Sequence, residues 1–458
     1  MIRVFSHWLP SKTVFQIVFD LMLLFFSMLL AAAWLNRDSA WALGVVAPYA
    51  IVFALATTAV NKAIGFYHRD AKRGLTQTLA LALVSFLLAV SVAYGIFGVL
   101  PKQGVRYEVL QLSALLALGA MVIVRVYAAH GGLSPVLIRR VMVLGTGPEA
   151  VAVEQSLRGG DVNIVGFYPV SGSEPMEVPA GRILSGEKSL CDTSQKLRVD
   201  EIIVAIAERR GGGMPLNELL DCKLAGVRVL DLSSYFERAL GQVRLDSLRA
   251  SWLIFGDGFR QGLTRTAVKR VFDIVAASVL ILLTLPVMAL TATLIALESG
   301  FPIFYRQERV GHGGRVFRVT KFRSMRADAE RDGRPRWATS NDDRVTRVGR
   351  IIRRYRIDEL PQLLNVLKGD MSLVGPRPER PFFVDQLTRE IPFYAARHSI
   401  KPGLTGWAQV RYHYGATLDD AAEKLQFDLY YVKNHTLFLD MVILFETVVV
   451  VITGEGAQ

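Results

Sequence analysis

At 458 residues the chain is too long for one ordinary domain. Hydrophobic residues make up 51% and mean hydropathy is +0.32, which argues against a wholly soluble chain and points to membrane segments. The 53 Lys and Arg against 41 Asp and Glu leave a net charge of +12. The basic residues flank apolar runs, so a membrane, and no nucleic acid, is the expected partner.

Four apolar runs open the chain, at 14–35, 40–60, 77–100 and 108–129, each about the 20 residues a helix needs to cross hydrocarbon. Ala31-Ala32-Ala33 resembles a signal cleavage site, but the run is long for that role and three more follow, so it reads as a retained helix. Basic residues gather before the first run (Arg3, Lys12), between the second and third (Lys62, Arg69, Lys72, Arg73) and after the fourth (Arg139, Arg140). The other two loops carry only Arg37, and Lys102 with Arg106. The positive-inside rule places both ends of this bundle in the cytoplasm. Asp20 is the clearest ionisable residue inside a run, so a transport pathway is not expected.

Residues 139–255 read as soluble. Val141–Leu144 is a buried strand, followed by Gly145-Thr146-Gly147-Pro148-Glu149-Ala150 and a helical pattern to Leu157. Further strands fall near 162–168, at Glu201–Ala205 and at Val227–Leu230. This alternation predicts a parallel sheet of Rossmann type. The Gly-rich turn could cradle a phosphate, but Tyr168-Pro169 stands where a dinucleotide site places an acid. A structural or assembly domain is the competing reading. The two cysteines, Cys191 and Cys222, lie here without metal spacing and read as reduced thiols.

After a linker at 256–266 comes Lys269-Arg270-Val271-Phe272-Asp273, then an apolar run from Ile274 to Leu297 interrupted by Pro286. Proline removes a backbone bond and bends a helix. Strongly basic sequence follows, which a full crossing would place outside the cell. A re-entrant helix over 271–297, broken at Pro286, satisfies both facts.

From Tyr305 to Arg356 the chain is arginine-rich, mostly a solvated or headgroup-facing surface. Asp358-Glu359-Leu360-Pro361 precedes a helical pattern of Leu360, Leu363, Leu364 and Leu367. Asp358 is therefore placed near a helix start, where the dipole and nearby arginines should favour its ionised form. Such a carboxylate can attack phosphorus or hold Mg²⁺; an N-cap aspartate beside a dipole-matched glutamate is the alternative. Gly375-Pro376-Arg377-Pro378 presents one arginine from a rigid turn, suited to a phosphate. Lys401-Pro402-Gly403-Leu404-Thr405-Gly406-Trp407 is a second rigid turn, its tryptophan suited to a membrane interface.

On these motifs, with Gln307-Glu308-Arg309-Val310-Gly311, Lys321-Phe322-Arg323-Ser324-Met325 and the continuous string 358–378, residues 267–458 resemble the bacterial sugar transferases, the monotopic phosphoglycosyl transferases. The four runs and the middle domain look like the larger members, the polyprenyl-phosphate hexose-1-phosphate transferases. The resemblance implies transfer of hexose-1-phosphate, with glucose the first expectation and galactose also fitting, from a UDP-sugar to undecaprenyl phosphate, releasing UMP. It implies Asp358 as nucleophile and Mg²⁺ ligand, and Glu359 as a base or positioning group. Arg377 would bind phosphate, with Lys321 and Arg323 as further candidates. It also implies a bacterial inner membrane with the catalytic domain on the cytoplasmic face.

The expected architecture is thus a membrane α-helical bundle (1–134), an α/β Rossmann-like domain (135–260) and an α-rich catalytic domain (261–458) with its re-entrant helix. Leu285-Pro286 stands where the family often has Ser-Pro, which leaves the bend angle open but keeps the bend, because the proline remains. The middle domain and the bundle could each support a homodimer. Leu418–Lys433 reads as an amphipathic helix, and Leu437–Ile452, with Asp440 and Glu446, as an interfacial or packed one. His398, His413 and His435 fit no metal spacing. A non-catalytic scaffold or nucleotide sensor is the competing function, and it has no need of Asp358-Glu359 together with Arg377.

Overall fold

The computed structural model describes residues 2–4, 7–9, 11–35, 42–63, 107–129, 139–157, 162–170, 176–184, 189–206, 214–245, 262–326, 344–412, 415, 417–453 and scattered positions within 83–98. Most of the third apolar run, His413 and most of the linker at 256–266 therefore lie outside the described residues, as do Arg69, Lys72 and Arg73. The chain divides into two compact units: Leu9–Tyr235 with Met1–Ile2, and Phe236–Gln458 with Arg3–Trp8.

In the first unit, three expected spans are helices: α1 (Ser11–Leu35), α2 (Ala42–Ala63) and α3 (Tyr107–Ala129). Each contains a stretch long and apolar enough to cross a membrane. Ala31, Ala32, Ala50, Ala54, Ala114 and Ala117 line their shared interior beside Leu24, Met28 and Phe53. Small residues let helices approach closely where lipid provides no hydrophobic drive. Phe15, Phe26, Leu55 and Ile123 point outward, and Asp20 is turned inward and buried.

The four strands expected in the middle are β3 (Arg139–Leu144), β4 (Val162–Tyr168), β5 (Glu201–Val204) and β6 (Arg228–Asp231); a short N-terminal pair, β1 (Ile2–Val4) and β2 (His7–Leu9), precedes them. They form one parallel sheet in the order β4-β3-β5-β6. Met142, Leu144, Ile202 and Val204 fill its core with Leu190, Leu219 and Cys222 from α5 (Leu190–Lys196) and α6 (Leu216–Leu224); α4 (Pro148–Leu157) follows β3. The Gly-rich turn is tied down by its own chain: Gly145 N donates to Tyr168 O, and Glu177 N to Thr146 O, both at 2.9 Å.

The second unit begins within α7 (Leu232–Leu240). Its longest element is α8 (Leu263–Ser299), which runs through Pro286. Leu282, Leu283, Leu285 and Leu290 near its middle are exposed, while Ala277 and Ile295 towards its ends are buried. Both ends are fastened to the same unit. Arg270 donates to Val366 O and Leu367 O at 2.6 and 2.7 Å, and Asp273 accepts from Leu373 N at 3.2 Å. At the other end Glu298 accepts from Arg347 N and Val348 N at 2.9 and 3.0 Å.

Beyond α8, β7 (Phe304–Val310) and β8 (Val316–Phe322) form an antiparallel hairpin. Then come α9 (Arg347–Arg354), a 3-10 turn over Ile357–Gln362, and α10 (Leu363–Lys368). The two rigid turns read from the sequence meet: β9 (Ser372–Val374) and β10 (Gly403–Thr405) pair in parallel, just before Gly375 and Gly406. A Cβ on Gly375 would strike Lys401 O, and one on Gly406 would strike Gly375 O. Between them lies α11 (Pro381–Glu390), and a short α12 (Trp407–Arg411) follows β10.

Two helices close the unit, α13 (Leu418–Asn434) and α14 (Leu437–Thr453). Thr417 and Asp420 start α13 with a reciprocal capping box. In α14, Asp440 is fully buried and accepts from Lys269 Nζ at 2.7 Å and from Tyr431 OH at 2.6 Å. Trp407 does not face an interface as the sequence suggested. It is 1% exposed, donates from Nε1 to Gly241 O at 2.8 Å, and stacks on Tyr430. The neighbouring Arg411 covers its ring, so no face is left for lipid.

Candidate active site

The 3-10 turn over Ile357–Gln362 carries the acidic pair. Arg356 precedes it in the left-handed conformation (φ 53°), which costs an L-residue about 1–2 kcal/mol and turns the chain sharply after α9. The turn packs beneath β8. Asn365, one turn later, holds the two together: its Oδ1 accepts from Thr320 N at 3.1 Å and its Nδ2 donates to Arg318 O at 2.8 Å.

That placement buries Glu359 and surrounds it with cations from three segments. Lys321 Nζ donates to Glu359 Oε1 at 2.9 Å and Arg377 Nη2 to the same oxygen at 3.0 Å. Arg356 Nη1 stands 4.0 Å from Oε2. Burial works to raise the Glu359 pKa, but Arg377, Lys321 and Arg356 outweigh it and hold the carboxyl well below the usual range. Burial also pushes the Lys321 ammonium down, against the pull of Glu359.

Asp358 is 9% exposed, and among the described residues no donor bonds its carboxylate and no cation pairs with it. Its pKa is pushed up to about 6, by burial first and then by the Glu359 charge; Lys321, Arg353 and Arg377 pull the other way without prevailing. This corrects the expectation that dipole and arginines favour the ionised form: Glu359, not Asp358, captures the cations. Neighbouring acids are thus driven apart into one neutralised by ion pairs and one left basic and accessible to chemistry.

The geometry brings together Asp358, Glu359, Lys321 and Arg377. Arg323 is employed elsewhere. Its Nη2 donates to Ser299 O, Ser299 Oγ and Gly300 O at 2.7, 2.9 and 2.6 Å, closing the end of α8, and the residue is 7% exposed. Lys321 and Arg323 stand two residues apart, but β8 ends at Phe322 and Arg323, whose N donates to Ile303 O at 2.9 Å, lies just beyond it. Sequence reasoning missed Arg356, one of many arginines in its run, and Arg309, whose Nη1 donates to Pro378 O at 3.0 Å. Its place in Gln-x-Arg-x-Gly was the available signal.

Residues 264–454 match the family model for bacterial sugar transferases. Over 320 residues the chain is 32% identical to the UDP-glucose:undecaprenyl-phosphate glucose-1-phosphate transferase of Klebsiella pneumoniae, covering 68% of this chain and 67% of that protein. The chain belongs to the bacterial sugar transferase family. It is also 46% identical over 193 residues to the protein of the same name from Caulobacter vibrioides, covering 41% of this chain and 71% of that one. Over 262 residues it is 45% identical to the UDP-N-acetylgalactosamine-undecaprenyl-phosphate N-acetylgalactosaminephosphotransferase of Aeromonas hydrophila. That match covers 57% of this chain and 61% of the Aeromonas protein. The family match begins at the base of α8 and ends one residue past α14, so it contains the acidic pair, its cations and both rigid turns.

A magnesium ion caged by the protein is not what this site fits. Among the described residues no three His, Cys, Asp or Glu side chains gather to hold a metal. Asp358, a carboxylate without a partner among the described residues, could supply one oxygen to an ion brought by a diphosphate.

Proposed function

We propose that this sugar transferase moves hexose-1-phosphate from a UDP-sugar to undecaprenyl phosphate at the cytoplasmic face of a bacterial inner membrane. The observation that carries the reading is the buried, unpartnered Asp358 carboxylate beside cations already collected by Glu359. An Asp358 oxygen attacks the sugar-bearing phosphorus; the bond from that phosphorus to the bridging oxygen breaks and UMP leaves with the electron pair. A phosphate oxygen of the lipid then attacks the same phosphorus and expels Asp358. Poor solvation and a raised pKa make the carboxylate a better nucleophile. Lys321 and Arg377 lie where they can meet the charge that develops on phosphate oxygens. Glu359, pinned by these cations, is too weak a base to take a proton and acts by holding them in place. Asp358 would hold Mg²⁺, which when bound supplies charge neutralisation of the diphosphate.

The lipid partner accounts for α8. A straight helix of 37 residues is about 55 Å long, yet both its ends reach one small group of elements. Arg270 bonds α10 carbonyls next to Asn365; Asn365 bonds β8, and Arg323 just beyond β8 bonds Ser299 and Gly300. This supports a helix that bends at Pro286 and returns to the face it entered, with its exposed leucines in lipid. The four-stranded order supports a Rossmann-type middle domain. Glucose is the sugar expected from the sequence; the relatives' names divide between glucose and N-acetylgalactosamine.

The test is UMP release from UDP-glucose, UDP-galactose and UDP-N-acetylgalactosamine, with undecaprenyl phosphate and Mg²⁺. Release from one donor, abolished in Asp358→Ala, is expected. Acid quench without lipid acceptor should leave a hexose phosphate on the peptide containing Asp358; unmodified peptide under turnover conditions rules out the covalent route.

A further inference from the structure

The reaction scheme does not use one enclosed ion pair next to the site. Arg397 and Asp428 are 5% and 2% exposed. Arg397 Nε and Nη2 donate to Asp428 Oδ2 at 3.0 and 2.7 Å, and Nη1 donates to the Tyr394 hydroxyl at 2.8 Å. A buried pair of this kind is weak evidence of a stabilising role, since apolar groups of the same volume often serve as well. Its remaining bond points to another purpose. Arg397 Nη2 also donates to the backbone carbonyl of Arg377 at 2.9 Å.

Three consecutive carbonyls in this turn are each held from a different part of the chain. Pro376 O accepts from Gly403 N at 2.9 Å, Arg377 O from Arg397, and Pro378 O from Arg309 Nη1 at 3.0 Å. The prolines fix their own φ angles. They leave the peptide plane between Arg377 and Pro378 to be set by its carbonyl, and that plane is the one Arg397 grips. The same residue, Arg377, sends its Nη2 to Glu359 Oε1 at 3.0 Å.

We propose that Arg397, held by Asp428 and Tyr394, is a positioning residue that aims the Arg377 guanidinium at the donor phosphate. The inference rests on the proposed reaction. Arg397 touches no substrate in this account and acts only through Arg377.

A double-mutant cycle tests it. Arg397→Lys keeps a cation beside Asp428 but lacks the fork that bonds Asp428 and Arg377 O together. Expected are a KM for the UDP-sugar raised about tenfold, the cost of roughly one buried hydrogen bond, a smaller change in kcat, and a thermal midpoint close to wild type. In an Arg377→Ala background the same change should add nothing to KM. An unaltered KM in the single variant, or losses that multiply in the double variant, overturns the positioning role. If Arg397→Lys lowers the thermal midpoint by more than about 10 °C, Tyr394→Phe, which removes only the hydroxyl that accepts from Nη1, carries the cycle instead. Should wild-type protein release no UMP from any donor, the reaction itself is wrong. The cycle is then read in the Kd for UDP, where an unchanged value for Arg397→Lys overturns the inference separately.

Discussion

Glu359 gathers Lys321 and Arg377 onto a single carboxylate oxygen. Glu359→Gln keeps the shape but removes the charge, leaving two cations close together with no anion between them. The expected result is a kcat lower by about 100-fold or more in a protein that still folds; unchanged turnover would show that Glu359 does not organise the site. Asp358, Glu359 and Arg377 were legible because each sits in a short motif whose chemistry is local. Arg356 was not, since its role depends on a positive φ that no neighbouring residue announces. Arg323 misled because the oxygens that take its guanidinium, on Ser299 and Gly300, lie more than twenty residues away in sequence.

Elements were easier to read than their contacts. The strands at 139–144, 162–168, 201–204 and 228–231 were marked by short apolar stretches such as Val141–Leu144 and Ile202–Val204. What periodicity could not show was that Gly375-Pro376-Arg377-Pro378 and Lys401-Pro402-Gly403 form one unit, because parallel pairing joins segments far apart in sequence. Gly375→Ala is expected to destabilise the protein by about 1–3 kcal/mol, since its methyl would meet backbone at Lys401 and Gly403 rather than a movable side chain. Thermal unfolding of the purified protein checks this; wild-type stability would mean the turns can separate freely. For α8, single cysteines at the exposed positions Leu263 and Phe301, introduced after replacing Cys191 and Cys222, should react with an impermeant maleimide from the same side of the membrane. Labelling from opposite sides sinks the re-entrant reading.

At the scale of the whole molecule, acid sensitivity has an identifiable source. His435 is 2% exposed, and its pKa is lowered to about 4 by burial and by Arg265; His398 is lowered to about 4 by burial and by Arg397. Both are neutral in the fold, whereas the unfolded chain protonates near 6.5. Their contribution is therefore fully present above pH 6.5 and is lost as pH falls towards 4, on the order of 2–3 kcal/mol for the more enclosed His435. The thermal midpoint of detergent-solubilised protein should drop across that window, and less steeply in His435→Asn. Parallel profiles for the two proteins would remove His435 as the cause.

The second unit is discontinuous in sequence, because Arg3–Trp8 belong to it. His7 is 4% exposed, its Nδ1 lies 2.7 Å from the Tyr430 hydroxyl, and its ring meets the edge of Trp407. Arg238 lies over the ring of Trp8. A fragment cut at 236 would therefore open a hole above Trp407 and leave the Tyr430 hydroxyl without its histidine. The smallest faithful excision is a splice, with the opening segment grafted ahead of Phe236, and not a simple truncation. Whoever dissects this enzyme for biochemistry must carry its first few residues along with its last two hundred.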